Sequence, residues 1–433
     1  MPKNSATAQF IERRERLLGP NLDLFYEEPV HVVRGEGVWL FDSDGRQYLD
    51  CYNNVPHVGH AHPVVVDAIA KQAATLNTHT RYLHDGILDY AERLTETFNA
   101  DLTTTLLTCT GSEANDVALR MAEAVTGHRG IIATDATYHG NTAAVTQLSS
   151  TRPPIGGYTG HVRHVPAPDG YRPMGGEPGE AFAAAFTREV EQAIEYLQTT
   201  EFGFSTLILC PYFANEGFPK LPSGFFDGTV AAVRKAGGII IADEVQPGFG
   251  RLGSHFWGHE RAGFTPDVVT LGKPMANGHP VGGVVTSADI MTEFRTAFGY
   301  FNTFGGNPVS CAAAMATLAV VQQENLMQNA AQVGEYALAG LSRLADKHEV
   351  IGEVRGSGLY FGIELVEDQT RKTPAADMTT RLVNSMRENG VLMGRTGLHH
   401  NVLKIRPPLP FGRDHVDQLI DTLDASLSAG IQN

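Results

Sequence analysis

The sequence of 433 residues is poor in cysteine, and its four cysteines are scattered along the chain. Because no two of them form a CxxC pair, the sequence predicts neither a disulfide framework nor a cysteine-ligated zinc site. All apolar runs are shorter than the roughly 18 residues that a membrane-spanning helix needs. The N-terminus also lacks the apolar core and small-residue cleavage site of a signal peptide. We therefore expect a soluble, cytoplasmic protein.

Positive charge is also scarce. The chain has 33 lysine and arginine residues but 48 aspartate and glutamate residues, which gives a formal net charge of −15. This acidity argues against nucleic acid or an anionic membrane as the main partner. The histidines are dispersed and lack carboxylate partners at helical spacing, so no metal site is predicted. An anionic substrate would need a local pocket of cationic side chains.

The sequence does contain short, almost wholly apolar runs that alternate with helical patterns. These runs predict strands at 103–110, 130–140 (with its exit loop), 205–210, 267–272 and 282–287, and one that ends at Asp243. Such an alternation is typical of a mainly parallel sheet covered by helices on both faces, so we expect an α/β fold. Segment 151–179 is rich in proline and glycine and is predicted to form an irregular surface excursion.

The length exceeds what one hydrophobic core usually holds and favours more than one domain. We expect an N-terminal arm with part of a small domain (1–55), a large domain (56–325) and a C-terminal small domain (326–433). The early strands and the C-terminal α+β segment are expected to build the small domain together.

Two charged residues stand where strand ends are expected to open onto a crevice. Asp243 ends one apolar run, and Lys273 directly follows another. Burial lowers the pKa of a lysine and frees its amine to form a Schiff base, whereas a buried carboxylate needs a cationic or hydrogen-bonding partner. Taken alone, Lys273 fits an ordinary surface lysine better than a Schiff-base lysine, whereas Asp243 fits an ordinary loop cap and a cofactor partner equally well.

Further short motifs follow other predicted strands. Gly111 and Ser112 open a helix, whose backbone N–H groups and positive end can bind an anion, and Ser112 is the predicted N-cap. Tyr138 and His139 follow the next strand, where an aromatic side chain can stack on a ring. Thr303 precedes two glycines and a helix and suits a second anion-binding turn. Each motif alone also fits a helix cap, a core tyrosine or a linker.

Together, the order and spacing of these features resemble the class III pyridoxal-phosphate aminotransferases of fold type I. The matching blocks are TGSEAND, YHG, ADEVQPGFGR, LGKPMANG and NTFGGNP. The resemblance covers nearly the whole chain from about Glu28. It implies a large domain around a mainly parallel sheet, a smaller α+β domain formed by both chain ends, and pyridoxal 5'-phosphate as the cofactor.

The resemblance also implies which residues would contact the ring of the cofactor. Lys273 would be the Schiff-base lysine, and Asp243 would pair with the pyridine nitrogen. Gln246 would lie near the ring oxygen, and Tyr138, beside His139, would lie on the ring face.

The cofactor phosphate would be held, by the same resemblance, from two chains. Gly111 and Ser112 would bind it from one subunit, and Thr303 would reach it from the neighbouring subunit. This arrangement implies a homodimer, or a tetramer built from such dimers, with shared active sites.

The reaction type depends on a departure from the aminotransferase pattern. Where aminotransferases of this class show a run resembling EPVQGEGG, this chain has CPYFANEGF, so Cys210 and Asn215 replace two glutamates. Long runs such as LNTHTRYLHD, GRLGSHFWGHE and YFNTFGGNPVSC instead resemble the ethanolamine-phosphate phospho-lyases and their phosphohydroxylysine relatives. That branch implies a small phosphorylated amine as substrate, with ethanolamine phosphate converted to acetaldehyde, ammonia and phosphate.

Three alternatives remain open at this point. One is an ω-amino-acid aminotransferase that uses β-alanine or 4-aminobutyrate with a 2-oxo acid, and another is a 5-phosphohydroxylysine phospho-lyase. A cofactor-binding regulator without activity is disfavoured, because Lys273 and Asp243 are both present and no DNA-binding segment is attached.

A phospho-lyase needs side chains that bind the substrate phosphate and stabilise its leaving charge, which arginine and lysine do best. The candidates are Arg81, Lys404, Arg406 and Asn54. Lys404 and Arg406 share one face of a strand by their spacing, and Arg406 matches the carboxylate-binding position of the aminotransferases. Arg81 has an equally good interpretation as a surface salt-bridge residue.

Overall fold

The computed structural model describes residues 5–20, 24–99, 101–150 and 153–429. Its α-helices, in chain order, are α1 Ser5–Leu18, α2 Pro63–Thr75, α3 Asp85–Thr95, α4 Gly111–Thr126, α5 Glu180–Gln198, α6 Asp227–Lys235, α7 Gly258–Ala262, α8 Ala288–Ala297, α9 Pro308–Gln323, α10 Leu326–Lys347, α11 Ala376–Glu388 and α12 Arg413–Ser428. Short 3-10 helices cover Val145–Leu148 and Lys273–Ala276. Within the described ranges, no helix has both the length and the apolarity needed to cross a bilayer.

The strands belong to three sheets and are shorter than most of the runs that predict them. In chain order they are β1 Val32–Glu36, β2 Trp39–Asp42, β3 Gln47–Asp50, β4 Thr104–Thr108, β5 Ile131–Thr134, β6 Val162–Val165, β7 Thr206–Leu209, β8 Ile239–Asp243, β9 Val268–Leu271, β10 Gly282–Thr286, β11 Ile351–Ser357, β12 Tyr360–Asp368, β13 Thr373–Pro374, β14 Val391–Leu392, β15 Gly394–Thr396 and β16 Val402–Ile405.

The largest sheet has the strand order β4-β10-β9-β8-β7-β5-β6. Strands β6, β5, β7, β8 and β9 run parallel, whereas β10 is antiparallel to both of its neighbours. Every residue of β5, β7, β8 and β9 is buried, which explains why these runs are almost wholly apolar. The predicted α/β fold with a mainly parallel sheet is therefore confirmed.

The smaller sheets draw on both ends of the chain. The sheet β1-β2-β3-β14 joins early and late strands, since Val391 and Leu392 pair in parallel with Leu49 and Asp50. The remaining sheet, β11-β12-β16-β15, is antiparallel and comes wholly from the C-terminal part. The expected α+β unit formed by both chain ends is confirmed as part of the fold.

The predicted N-cap at Ser112 is wrong, because the cap of α4 is Thr110. The Glu113 backbone N–H donates to Thr110 Oγ1 at 3.1 Å, and the Cys109 N–H donates to Glu113 Oε2 at 2.7 Å. Thr110 and Glu113 thus have the three-residue spacing of a capping box. Ser112 lies one position inside the first turn, where its backbone N–H faces the helix end.

The prediction that 151–179 is irregular throughout is also wrong in part, and residues 151 and 152 lie outside the described ranges. Strand β6 pairs in parallel with β5 at the edge of the large sheet, with Ile131 opposite Val162. Only the first and last of its four residues are buried. A search for apolar runs therefore misses this strand, because it is short and has polar residues in the middle.

Candidate active site

A cavity of about 210 Å³ opens where β8 and β9 end and α4 begins. It is lined by Thr110, Gly111, Ser112, Tyr138, His139, Gly140, Cys210, Asp243, Val245, Gln246 and Lys273. All the residues predicted to hold the cofactor from within one chain therefore lie together. The strand ends that bring them together are those of a doubly wound sheet, where such crevices form.

Asp243 is held at the end of β8 by three hydrogen-bonding neighbours. Its Oδ2 atom accepts a hydrogen bond from Asn115 Nδ2 at 3.0 Å and lies 2.7 Å from His139 Nδ1. Its Oδ1 atom accepts from the backbone N–H of Val245 at 3.0 Å. Thr270 in turn donates to Asn115 Oδ1 at 2.6 Å, so the group that orients the carboxylate is itself oriented.

Asn115 is the residue of this group that sequence reasoning missed. It is fully buried and lies four residues after Gly111 on α4. Residues four apart share one face of a helix, so the block TGSEAND already places this amide on the face that Gly111 turns to the cavity. That spacing was the available signal.

Lys273 begins a short 3-10 helix directly after β9, at the wall of the cavity. Burial lowers its pKa from 10.5 to about 8, and the positive charge of Arg406 adds to the lowering. Asp243 and Cys210 act in the opposite direction. A pKa near 8 leaves an appreciable fraction of neutral amine near neutral pH, which a nucleophile or base requires.

The first turn of α4 forms a close-fitting anion cradle at the other end of the cavity. A Cβ atom on Gly140 would lie 2.5 Å from Ser112 Oγ, and one on Gly111 would lie 2.9 Å from Val245 Cγ2. Ser112 Oγ also accepts a hydrogen bond from the Asn141 N–H at 3.2 Å. The glycines therefore let backbone approach the end of the helix, where unpaired N–H groups favour a phosphate.

Two cations of the C-terminal segment also reach the region of the cavity. Lys404 on β16 donates from Nζ to Asn215 Oδ1 at 2.9 Å. Burial, together with the charges of Arg406 and Lys273, holds the pKa of Lys404 well below its ordinary value. Glu216, the acid that acts on Lys404, accepts hydrogen bonds from Thr134 Oγ1 at 2.7 Å and the Asn215 N–H at 3.0 Å.

Arg406 follows β16 and shares a partner with Tyr360. Both side chains donate to Gln246 Oε1, Tyr360 from its hydroxyl at 2.9 Å. The Arg406 guanidinium carbon also lies 4.6 Å from the ring centre of Tyr52, and no described residue accepts from its Nε. Gln246 therefore uses its carbonyl oxygen to hold Arg406, and its amide Nε2 donates to Asn215 Oδ1 at 3.4 Å.

Neither Lys404 nor Arg406 is among the residues that line this cavity, and the other predicted residues also lie outside it. Arg81 is exposed and lies over the ring of Phe301, with 3.9 Å between its guanidinium carbon and the ring centre. Thr303, close to Phe301 in sequence, is also exposed. Asn54 is only 2% exposed, and its Nδ2 has no acceptor among the described residues.

Comparisons with known proteins agree on one family. The model of the family "Aminotransferase class-III" matches residues 26–427. The chain is 40% identical to a Drosophila melanogaster protein named alanine--glyoxylate aminotransferase 2-like, over 98% of this chain and 87% of that protein. It is 36% identical to ethanolamine-phosphate phospho-lyase homolog 1 of Caenorhabditis elegans, over 97% and 93%. A solved Arthrobacter phospholyase in complex with phosphoethanolamine is 45% identical, with a TM-score of 0.93 and 97% and 99% coverage.

The residues of the cavity fit the cofactor of this family. Asp243 is a buried, oriented carboxylate with room before it, Lys273 is an amine of lowered pKa, and the α4 cradle suits a phosphate. The cofactor is pyridoxal 5'-phosphate. From its family match and its relatives along nearly its whole length, the chain belongs to the class III aminotransferases.

Proposed function

We propose that the chain is a phospho-lyase that converts ethanolamine phosphate and water to acetaldehyde, ammonia and inorganic phosphate. The observation that carries this proposal is that Lys404 and Arg406 are held by amide oxygens. Their acceptors are Asn215 Oδ1 and Gln246 Oε1, and neither cation forms an ion pair with a described carboxylate. Burial lowers the pKa of Lys404, so a ligand that brings its own negative charge would both pair with Arg406 and favour the charged form of the Lys404 amine.

A phosphate monoester is the ligand that uses this charge best. It carries close to two negative charges at neutral pH, and charge-assisted hydrogen bonds to arginine and lysine are roughly twice as strong as neutral ones. The same cations stabilise the charge that builds on the phosphate as its C–O bond breaks. A glutamate at position 215 would pair with Lys404 and remove part of that stabilisation.

Each remaining residue has a proposed task. Pyridoxal phosphate, when bound, supplies an electron sink for the carbon next to the substrate amine. Neutral Lys273 Nζ takes the proton from that carbon, and Asp243, oriented by Asn115 and His139, stabilises positive charge on the ring nitrogen. Lys404 and Arg406 hold the leaving phosphate while its bond to the neighbouring carbon breaks.

Support for a shared site comes from the surface around Thr303. Apolar side chains flank it in the sequence and are exposed, Phe301 by 43% and Phe304 by 69%. Patches of this kind mark protein interfaces. We propose a homodimer in which the partner's Thr303 completes the phosphate cradle and the partner's Arg81 approaches the substrate side.

The reaction itself is the test of the proposal. Purified protein loaded with pyridoxal phosphate is incubated with ethanolamine phosphate, and inorganic phosphate and acetaldehyde are measured with and without 2-oxoglutarate. We expect equal amounts of the two products and no requirement for the 2-oxo acid. Release that depends on pyruvate or 2-oxoglutarate would contradict elimination.

An aminotransferase is the second candidate, because Arg406 matches the position where members of the family bind a substrate carboxylate and several relatives carry an alanine--glyoxylate aminotransferase name. β-Alanine or 4-aminobutyrate would then convert the bound cofactor to its amine form, with loss of its visible absorbance. 5-Phosphohydroxylysine is assayed alongside ethanolamine phosphate, because the same cations suit either phosphate ester.

A further inference from the structure

A buried carboxylate outside the cofactor cavity joins three parts of the chain. Glu364 on β12 is 2% exposed. It accepts hydrogen bonds from Arg172 Nη1 at 2.5 Å and from Asn401 Nδ2 at 3.0 Å, and its Oε2 forms an ion pair with Arg355 Nη2 at 2.7 Å. Arg172 belongs to the irregular stretch after β6, so this carboxylate ties that stretch to the small domain.

Arg355 carries the connection towards the active site. Its Nη2 meets Glu364, its Nη1 meets Glu353 Oε2 at 2.8 Å, and its Nε donates to the Gly217 carbonyl at 2.8 Å. Gly217 lies in the loop that follows β7, here called the 210–218 loop. This loop contains Asn215, the residue that holds Lys404.

The 210–218 loop needs contacts from outside to keep its shape. Phe213 and Phe218 have φ values of 48° and 50°, in the left-handed region that non-glycine residues seldom adopt, and Gly217 has a φ of 108°. Backbone held in such a conformation persists only where its surroundings determine it.

The small domain supplies those contacts at two carbonyl groups of the loop, which are two residues apart. Thr396 Oγ1 and the Gly397 N–H donate to the Asn215 carbonyl at 2.8 Å and 3.0 Å, and Arg355 donates to the Gly217 carbonyl. The Asn215 side chain, which belongs to the residue that carries the first of these carbonyls, accepts from Lys404 and Gln246. The direction of the side chain thus depends on how the carbonyls are held.

We propose that Glu364 is a positioning residue for substrate binding: through Arg355 and the Gly217 carbonyl it holds Asn215 in contact with Lys404. The proposal rests on the proposed function only for the identity of the substrate. Glu364 touches neither the cofactor cavity nor Asp243 and Lys273. Its loss should therefore change substrate affinity and leave cofactor binding as it is.

A double-mutant cycle tests this connection. We expect Glu364→Gln and Asn215→Ala each to raise KM for ethanolamine phosphate about tenfold, with kcat changed less than about twofold. If Glu364 acts through Asn215, the double variant shows about tenfold as well, whereas independent effects multiply to about a hundredfold. A merely structural role would not produce this coupling.

Controls keep the outcome clear. Asp424→Asn removes a half-buried carboxylate that accepts from Lys347 Nζ at 2.7 Å, and it should leave KM unchanged. If Glu364→Gln does not fold, Arg355→Lys replaces it in the cycle, since lysine keeps the charge but cannot bind both carboxylates and the Gly217 carbonyl.

Failure of the inference and of the proposed function are distinguishable. If wild-type protein transaminates β-alanine and releases no phosphate from ethanolamine phosphate, the proposed function fails, and the cycle is measured on KM for β-alanine. Coupling between Glu364 and Asn215 in that assay still supports the positioning role. Multiplicative effects in either assay, or loss of cofactor absorbance in Glu364→Gln, would overturn it.

Discussion

Replacing Asn215 with glutamate should weaken the binding of ethanolamine phosphate more than any neutral substitution at that position. Asn215 Oδ1 lies 2.9 Å from Lys404 Nζ, so a glutamate carboxylate would reach the same buried amine. It would attract the charge that the substrate phosphate is proposed to use. Because Asn215 does not contact Asp243 or Lys273, the cofactor should remain bound.

The size of the effect follows from the charges. Two unit charges about 4 Å apart interact by about 4 kcal/mol at an effective dielectric constant of about 20. A carboxylate that cancels half of the attraction between Lys404 and the substrate phosphate would cost about 2 kcal/mol, or about thirtyfold in KM. In the Asn215→Gln variant the side chain has the length of glutamate but no charge, so KM for ethanolamine phosphate should stay within about threefold of the wild-type value.

The assay compares kcat and KM for phosphate release in Asn215→Glu, Asn215→Gln and wild type, with cofactor absorbance recorded for each. A KM that is equal in the two variants would refute the charge argument. A fall in cofactor absorbance in Asn215→Glu alone would mean that the glutamate acts on the cofactor site. Either result removes the main support for a substrate phosphate at Lys404.

Three further predictions concern the pH dependence of stability, the phosphate cradle and the side chain of Lys404. Burial lowers the pKa of Lys273 from 10.5 to about 8 in the folded apo-protein, so protonation of Lys273 lowers the free energy of unfolding. This loss of stability is complete below pH 8 and should disappear as the pH rises towards 10.5. Chemical denaturation at a series of pH values, with Lys273→Met as the reference, measures it. Gly140→Ala, whose Cβ would lie 2.5 Å from Ser112 Oγ, should weaken cofactor binding in a fluorescence titration. Gly176→Ala, at φ +81 with nothing within 4 Å of the new Cβ, should not. Lys404→Met should raise KM for ethanolamine phosphate about tenfold or more in the phosphate-release assay, with kcat/KM for β-alanine less affected.

Much of the cofactor cavity could be predicted because it is built from strand ends. Parallel strands place their carboxyl ends at one edge of the sheet, so Asp243, Lys273 and Tyr138 meet there wherever the intervening helices run. Class and sheet type follow from the same apolar runs. The N-cap was wrongly predicted at Ser112 because only the residue type was considered. Thr110 is followed three residues later by Glu113, which is the spacing of a capping box.

The network behind the site could not be predicted, since its contacts join distant parts of the chain. Arg172 and Glu364 are 192 residues apart, and neither belongs to a motif. The bend of the 210–218 loop also leaves no mark in composition, because Phe213 and Phe218 adopt positive φ without glycine. Such contacts form only where the folded chain brings distant side chains within hydrogen-bonding distance. Hydrophobic periodicity and motif spacing in the sequence do not contain that information.

The order of the chain has a consequence for biosynthesis. The residues that line the cavity lie between Thr110 and Lys273, whereas Lys404 and Arg406 lie at the last strand of the described chain. Strand β3 can pair with its parallel neighbour β14 only after more than 300 further residues have been synthesised. A growing polypeptide therefore completes the side chains proposed to hold the cofactor long before it completes those proposed to hold the substrate, and domains generally fold as units during synthesis. Ribosome-bound chains stalled after α9 would be suitable for asking whether the cofactor is captured at that stage.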